Sequence, residues 1–233
     1  MTKKLYWDDA YNKEFDAKVL AIDGNKTVLD QTAFNPRGGG LVGDTGEING
    51  LKVVDTVKGD SESIIHVLEA DPNFDRDTIV HGKLDWERRY RIMMMHTAAH
   101  MLSAIIHRDE GALITGNQIE SDRSRVDFNL QEFNRELVEE FCRKANEFVK
   151  KNLPVKTYFM KRVEALKIPA IVKLAGAMPP DVEVLRIVEI VGLDIQADGG
   201  PHLKNSGEIG EIKLLKTENK GKNNRRLYYT VMD

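Results

Sequence analysis

The change from strands to helix in this chain falls at residues 86–108, which read WERRYRIMMMHTAAHMLSAIIHR. The stretch contains neither glycine nor proline, and its apolar residues recur with helical spacing. Asp85 stands directly before it, where a carboxylate can accept hydrogen bonds from the free N–H groups of a first helical turn. We therefore predict a long helix that begins after Asp85 and separates two domains, residues 1–85 and 86–233.

The sequence before this helix has the pattern of short strands joined by tight turns. Asp23-Gly24-Asn25 is a hairpin sequence, and Lys58-Gly59-Asp60 marks a second turn. Strands without helical periodicity are typical of a small β-barrel or sandwich. The predicted strands here cover residues 15–22, 51–57, 63–68 and 78–84.

Beyond residue 108 the sequence predicts a mixture of strands and helices. Residues 131–152 form an amphipathic helix, whose apolar stripe comprises Phe133, Leu137, Phe141, Ala145 and Phe148. A short helix is expected at 162–167, and strands at 111–130, 155–160, 184–190, 208–216 and 226–232. We predict an α+β fold, with a small N-terminal β-barrel followed by an α/β domain that contains an antiparallel sheet and helices.

Composition excludes a disordered chain and a membrane protein. The 233 residues are 41% apolar and 30% charged, and the longest apolar stretch, residues 92–106, contains two histidines. The first residues, MTKKLYWDD, lack the apolar core of a signal peptide, and a single cysteine, Cys142, fits a reducing compartment. We expect a soluble cytoplasmic protein.

Charge is unevenly distributed although the net charge is only −3. Residues 213–226 contain six basic side chains and one acidic side chain, and Arg88, Arg89 and Arg91 form a second basic cluster. Such a patch can bind a polyanion on an otherwise acidic protein. The alternative is a solvated surface without a ligand.

His96 and His100 are the first candidates for a metal site. A spacing of four residues places both imidazoles on one helix face, within reach of a single ion. A zinc peptidase would have glutamate after the first histidine, whereas this chain has Thr97. His107 lies about 10 Å further along the helix axis and is too distant to share the ion. Helix packing alone is the alternative explanation.

A second candidate element is the stretch Asp194-Ile195-Gln196-Ala197-Asp198-Gly199-Gly200-Pro201-His202. Its glycines allow the backbone to fold sharply, so that Asp198 and His202 can converge. Two helix histidines with this aspartate and histidine could form a tetrahedral zinc site, or three ligands with an open position. An ordinary turn between strands is the alternative.

Several motifs resemble alanyl-tRNA editing proteins, both the freestanding AlaX group and the editing domain of alanyl-tRNA synthetase. The resemblance covers roughly residues 5–232, and the chain length favours the medium-length AlaX type. It rests on His96-Thr97-Ala98-Ala99-His100, the segment 116–128, Gly199-Gly200-Pro201-His202 with Gly207-Glu208-Ile209-Gly210, and the glycine-rich segment 35–46.

The resemblance implies a zinc site with one departure from the family pattern. His96, His100 and His202 match that pattern, whereas Asp198 stands where the family has cysteine. Aspartate ligates zinc at about 2.0–2.2 Å but lacks thiolate selectivity. Asp198 is therefore expected either as a fourth ligand or as the neighbour of a three-histidine site.

The reaction that the resemblance implies is hydrolysis of seryl-tRNA, and of glycyl-tRNA, that carries the alanine identity. Thr115 and Gln118 are the implied catalytic-pocket residues, and Asn117 is an implied substrate contact. A pocket that hydrogen-bonds the serine hydroxyl rejects alanine, which leaves its polar groups unpaired. The alternative for this segment is a β-turn. Further substrate contacts are expected from Gly38, Gly39, Gly40, Lys220, Lys222 and Arg225.

Other interpretations remain open at this point. A tRNA-binding module that lost hydrolysis when aspartate replaced cysteine is one, and a threonyl-type editing domain, which shares the helix histidines, is another. Arg125 and Asp127 also recur in the family pattern, but alternation places them on one strand face, where a structural ion pair is equally plausible.

Overall fold

The computed structural model describes residues 1–131, 134–169, 171–176, 178–221 and 223–232. It divides into two compact units, Met1–Ile92 and Met93–Asp233. Helix α2 (Trp86–Glu110) begins in the first unit and ends in the second. The first unit also contains β1 (Lys3–Lys4), α1 (Leu5–Asp8), β2 (Glu14–Asp23), β3 (Lys26–Leu29), β4 (Gln31–Thr32), β5 (Gly46–Ile48), β6 (Leu51–Lys58), β7 (Ile64–Leu68) and β8 (Ile79–Leu84).

Six antiparallel strands of the first unit close into a barrel in the order β2-β3-β7-β6-β5-β8, which confirms the predicted barrel. Alternation along β2 places Phe15, Ala17 and Val19 in the barrel core. Gly82 on β8 leaves room for the Phe15 ring, because a Cβ at this position would stand 2.5 Å from it. Asp85 caps α2 as predicted, since its Oδ1 accepts a hydrogen bond from the Arg88 backbone N–H at 3.2 Å.

A buried ion pair anchors the glycine-rich segment of the first unit. Arg89 donates to both carboxylate oxygens of Asp44 and to the Ala33 carbonyl at 2.6 Å, and its side chain is fully buried. Asp44 also accepts from the Asn35 backbone N–H at 2.5 Å. The expectation that Arg89 belongs to a solvated basic cluster is therefore wrong, because Asp44 draws it into the interior.

The second unit contains two antiparallel sheets, in the orders β14-β15-β10-β9 and β11-β12-β13. Its elements are β9 (Ile114–Gln118), β10 (Ser124–Phe128), α3 (Arg135–Lys150), β11 (Val155–Lys161), α4 (Arg162–Ala165), β12 (Val184–Ile190), β13 (Asp194–Ala197), a 3-10 turn (Ser206–Ile209), β14 (Glu211–Asn219) and β15 (Arg225–Met232). These sheets and helices confirm the predicted α+β class.

Several predicted boundaries differ from those observed. The strand predicted at 111–130 is divided into β9 and β10, and the strand predicted at 208–216 is β14, which begins at Glu211 after a 3-10 turn. Helix α3 begins at Arg135, where Asn134 accepts a hydrogen bond from the Leu137 N–H at 2.8 Å, and not at residue 131. Phe133, which we assigned to its apolar stripe, lies outside the described residues. The first half of the stretch that we expected to be a turn is strand β13, which pairs with β12 between Ile187 and Ile190.

The C-terminal part of α2 is buried on all sides within the second unit. Met93, Met95, Met101 and Leu102 are completely inaccessible, and the Tyr229 hydroxyl of β15 donates to the Met95 carbonyl at 2.7 Å. A helix that is apolar all round belongs in a domain core. None of the described helices has the length and apolarity that crossing a membrane requires.

Candidate metal centre

Two turns of α2 present the first half of the candidate site. The His96 and His100 rings lie with their centroids 5.0 Å apart, and the two residues are only 5% and 7% exposed. Both ring positions follow from the four-residue spacing, because side chains at i and i+4 share a helix face. The predicted pairing of these histidines on one face is therefore present in the fold.

The loop after β13 supplies the second half. Asp198 Oδ1 accepts a hydrogen bond from the Gly200 backbone N–H at 2.7 Å, which folds the loop back on itself. Arg186 of β12 donates to the carbonyls of Asp198 and Gly200 at 3.0 and 2.9 Å. These bonds place His202 beside the helix histidines, with its ring centroid 4.0 Å from that of His96.

The four side chains converge on one point. Asp198 carboxylate oxygens lie 3.6 Å from His96 Nε2, 3.9 Å from His100 Nε2 and 3.4 Å from His202 Nε2. One ligand atom from each residue lies within 4.8 Å of all the others. Tetrahedral zinc with bonds near 2.0–2.1 Å would separate its ligands by about 3.3 Å. The observed spacing is close to that arrangement.

The remaining ring nitrogens are held by the protein. His96 Nδ1 faces the Pro201 carbonyl at 3.3 Å, His100 Nδ1 faces Asp194 Oδ2 at 3.0 Å, and His202 Nδ1 pairs with the Thr97 hydroxyl at 3.1 Å. A carbonyl or carboxylate can only accept, so His96 and His100 donate from Nδ1. All three Nε2 atoms are thereby directed to the centre of the cluster.

Burial and charge set the protonation of the cluster. Burial lowers the pKa of His96 to about 4 and that of His202 well below its ordinary value. Burial also opposes the charged form of His100, but hydrogen bonds to Asp194 and Asp198 outweigh it and raise its pKa to about 9. Burial would raise the pKa of Asp198, yet His96 and the other histidines hold it well below its usual range.

These protonation states favour the binding of a metal cation by the four side chains. Neutral imidazoles and an ionised carboxylate are the forms that bind metals, and a metal would replace the proton on His100. His202 Nε2 is buried and makes no hydrogen bond within the described part of the chain. A buried polar atom without a partner is costly, and a metal ion at the centre would satisfy it.

The predicted pocket residues lie on the edge strand β9. Asn117 is opposite Val126 and Gln118 is opposite Arg125, so these two side chains point to different faces of the sheet. The register then shifts, and Thr115 has no opposite residue in β10. The Thr115 hydroxyl donates to Asn224 Oδ1 at 3.0 Å, and Gln118 accepts from Arg125 Nε at 3.2 Å.

Asp127 is buried and joins two arginines of the same sheet. It accepts from Arg125 NH1 at 3.0 Å and from Arg226 Nε at 2.7 Å. The structural ion pair that we considered for Arg125 and Asp127 is therefore present within β10, and Arg226 extends it to the neighbouring strand β15. Sequence reasoning missed Arg226 as a partner, because nothing local connects it to a residue 99 positions away.

The residues expected to contact the substrate lie in different parts of the chain. Gly38, Gly39 and Gly40 belong to the loop between β4 and β5 of the first unit, and Gly39 has a φ of 63°, in the left-handed region that glycine tolerates. Lys220 and Arg225 lie at the turn between β14 and β15, where Lys220 Nζ is 3.6 Å from Glu218 and Arg225 donates to Asn219 Oδ1 at 2.7 Å. Lys222 lies outside the described residues.

Three further residues support the cluster and were not assigned from the sequence. Asp194 lies within the stretch 194–202 considered above, and the only local sign of its role was its alternation with Gln196 on one strand face. Arg186 and Lys173 carried no signal at all, because their partners are distant in sequence. Lys173 Nζ lies 2.5 Å from Asp194 Oδ1, and both side chains are buried.

The comparisons with known proteins agree with this geometry. Residues 185–228 match the family model described as the threonyl and alanyl tRNA synthetase second additional domain. The chain is 49% identical to the alanyl-tRNA editing protein AlaX-M of Saccharolobus solfataricus over 99% of both chains. It is 42% identical to AlaX-M of Methanosarcina acetivorans over the full length of both.

A longer relative is the alanine–tRNA ligase of Pyrococcus furiosus, which is 39% identical over 93% of this chain and 24% of the ligase. The AlaX-M proteins, by contrast, correspond to this chain from end to end. The two relatives that match over the full length of this chain share one description. The chain belongs to the AlaX-M family of alanyl-tRNA editing proteins.

Proposed function

We propose that this protein hydrolyses the ester bond between serine, or glycine, and a tRNA that carries the alanine identity. Family membership supports a hydrolase that acts on a mischarged tRNA. The observation that carries the proposal is the convergence of three imidazole Nε2 atoms and one carboxylate, with His202 Nε2 buried and unpartnered among the described residues.

We infer that His96, His100, Asp198 and His202 hold one zinc ion. The donor set fits, since zinc accepts imidazole nitrogen and carboxylate oxygen in a tetrahedral arrangement. When bound, zinc can lower the pKa of a coordinated water or polarise an ester carbonyl. Asp198 is a harder donor than the cysteine of the family pattern, so the site gives up part of its preference for thiophilic metals.

Specificity would come from polar groups that the serine hydroxyl satisfies. Thr115 and Asn117 are short polar side chains on β9 that can reach such a hydroxyl, and Gln118 extends from the opposite face of that strand. A bound substrate that covers these groups but lacks the hydroxyl would leave them unpaired, which costs about 1–3 kcal/mol for each group that the substrate buries. Alanyl-tRNA would therefore not be hydrolysed.

The tRNA would be held by cations outside the cluster. Lys220 and Arg225 lie at the β14–β15 turn and, with Lys222, form the basic part of the C-terminal stretch. Phosphate contacts of this kind give an affinity that falls with salt. The glycines 38–40 present backbone without side chains, which would allow a close approach of the acceptor end.

Deacylation by histidine variants tests the proposal. His96→Ala and His202→Ala should each lose serine release from seryl-tRNA of alanine identity. The matched control is His107→Gln, because His107 lies on the same helix but bonds to the Ala112 carbonyl at 3.1 Å and not to the cluster. Full tRNA binding without deacylation by the unchanged protein would instead identify a tRNA-binding module, and release of serine from threonine tRNA alone would identify a threonyl-type editing domain.

A further inference from the structure

A buried ion pair stands directly behind one of the four candidate ligands. Asp194 Oδ2 lies 3.0 Å from His100 Nδ1, and Asp194 Oδ1 lies 2.5 Å from Lys173 Nζ. Gln196 Nε2 donates to Asp194 Oδ2 at 2.8 Å. The Asp194 side chain is completely inaccessible and that of Lys173 is 7% exposed. His100, Lys173 and Gln196 thus supply three partners to this carboxylate.

Stability alone does not explain this arrangement. Removing two charges from water costs several kcal/mol per ion, and well-packed apolar residues of similar volume are often as stable as a buried pair. The pair touches His100 on the side away from the cluster centre. A carboxylate bonded to the outer nitrogen of a ligand histidine fixes the ring orientation and makes the inner nitrogen a stronger donor.

The three histidines differ in the group that faces the outer ring nitrogen, Nδ1. His96 Nδ1 meets a carbonyl and His202 Nδ1 meets a hydroxyl, both neutral, whereas His100 Nδ1 meets a carboxylate. Only the carboxylate needs a counter-charge in the interior. Lys173 supplies this counter-charge. Two hydrogen bonds of 2.7 Å hold its segment of backbone against Ile114: the Ile114 N–H donates to the Lys173 carbonyl, and the Ala175 N–H donates to the Ile114 carbonyl.

We propose that Asp194, held in place by Lys173 and Gln196, is a positioning residue that orients His100 and strengthens it as a metal ligand. The inference rests on the proposed function, because it requires that the cluster binds a metal. Lys173 and Asp194 are 21 positions apart, and neither would contact the substrate or the ion. Lys173 acts only through Asp194, as the cation that keeps the carboxylate in the interior.

The test separates a positioning role from a merely structural one. Zinc affinity is measured by competition with a chelating indicator, and stability by urea unfolding in excess chelator. Asp194→Asn should lower zinc affinity by about tenfold to hundredfold, the range typical of such partners. It should also destabilise the metal-free protein, because the buried Lys173 ammonium loses its carboxylate counter-charge.

The double variant Lys173→Met, Asp194→Asn is decisive and removes both charges. It should regain the stability that Asp194→Asn loses, while its zinc affinity stays at least tenfold below that of the unchanged protein. The cobalt-loaded double variant should show a shifted visible absorption band. The matched control is Arg89→Met with Asp44→Asn, which neutralises the buried pair of the first unit and should leave zinc affinity unchanged.

Recovery of both stability and zinc affinity in the double variant would overturn the inference, because the pair would then serve folding alone. Unchanged affinity in Asp194→Asn would overturn it as well. If the unchanged protein bound no zinc, the metal centre of the proposed function would fail together with this inference. Zinc binding by the unchanged protein and the variants alike refutes only the inference.

Discussion

Replacing Thr115 by valine removes one hydroxyl at nearly constant side-chain shape. In the structure this hydroxyl, which is exposed, donates a hydrogen bond to Asn224 Oδ1 at 3.0 Å. Its loss should therefore cost folding only about 0.5–1.5 kcal/mol. If the hydroxyl recognises the serine side chain, Thr115→Val should also reduce discrimination between seryl- and alanyl-tRNA by about 1–3 kcal/mol, which is about 5- to 150-fold in kcat/KM.

The assay measures kcat/KM for deacylation of both aminoacyl forms of one tRNA with alanine identity. The matched control is Asn224→Ala, which removes the observed acceptor and leaves the Thr115 hydroxyl in place. This control should discriminate as well as the unchanged protein. Equal slowing on both substrates, or a loss of discrimination in Asn224→Ala of the same size, would show that Thr115 has a structural role.

Three further predictions follow from the site, the basic stretch and the barrel. Asp198→Cys should tighten zinc binding in a chelator competition if Asp198 is a ligand, and unchanged affinity would indicate a three-histidine site. Combined alanine substitution of Lys220, Lys222 and Arg225 should weaken tRNA binding and flatten its salt dependence, with little effect on a minimal ester; an unaltered salt slope would place the RNA elsewhere. Burial lowers the pKa of His66 to about 4, so folding loses about 2 kcal/mol as the pH falls from 7 to 5, and urea unfolding of His66→Gln should lack this loss.

The elements that sequence reasoning predicted well are those with local signals. Helix α2 begins after Asp85 because a carboxylate cap and an unbroken helical pattern both lie within a few residues. The convergence of His96 with His100 follows from helix geometry alone. Asp198 and His202 were found because glycines between them permit a sharp turn.

The features that sequence reasoning missed depend on distant partners. Arg89 was expected at the surface, but it is buried against Asp44, which is 45 residues away. Asp194 and Gln196 lie on a buried strand face, where polar side chains are rare, and the partners of Asp194, His100 and Lys173, are distant in sequence. No local sequence pattern indicates a buried pair whose members are far apart in the chain.

We propose that this protein edits mischarged alanine tRNA with a metal ion held by His96, His100, Asp198 and His202. The most direct test follows serine release from seryl-tRNA of alanine identity, first with the unchanged protein, then after chelation, and then after zinc is restored. Serine release should stop with the chelator and return with zinc, and alanyl-tRNA should remain intact throughout. Release that continues at the same rate in metal-free protein would contradict this proposal.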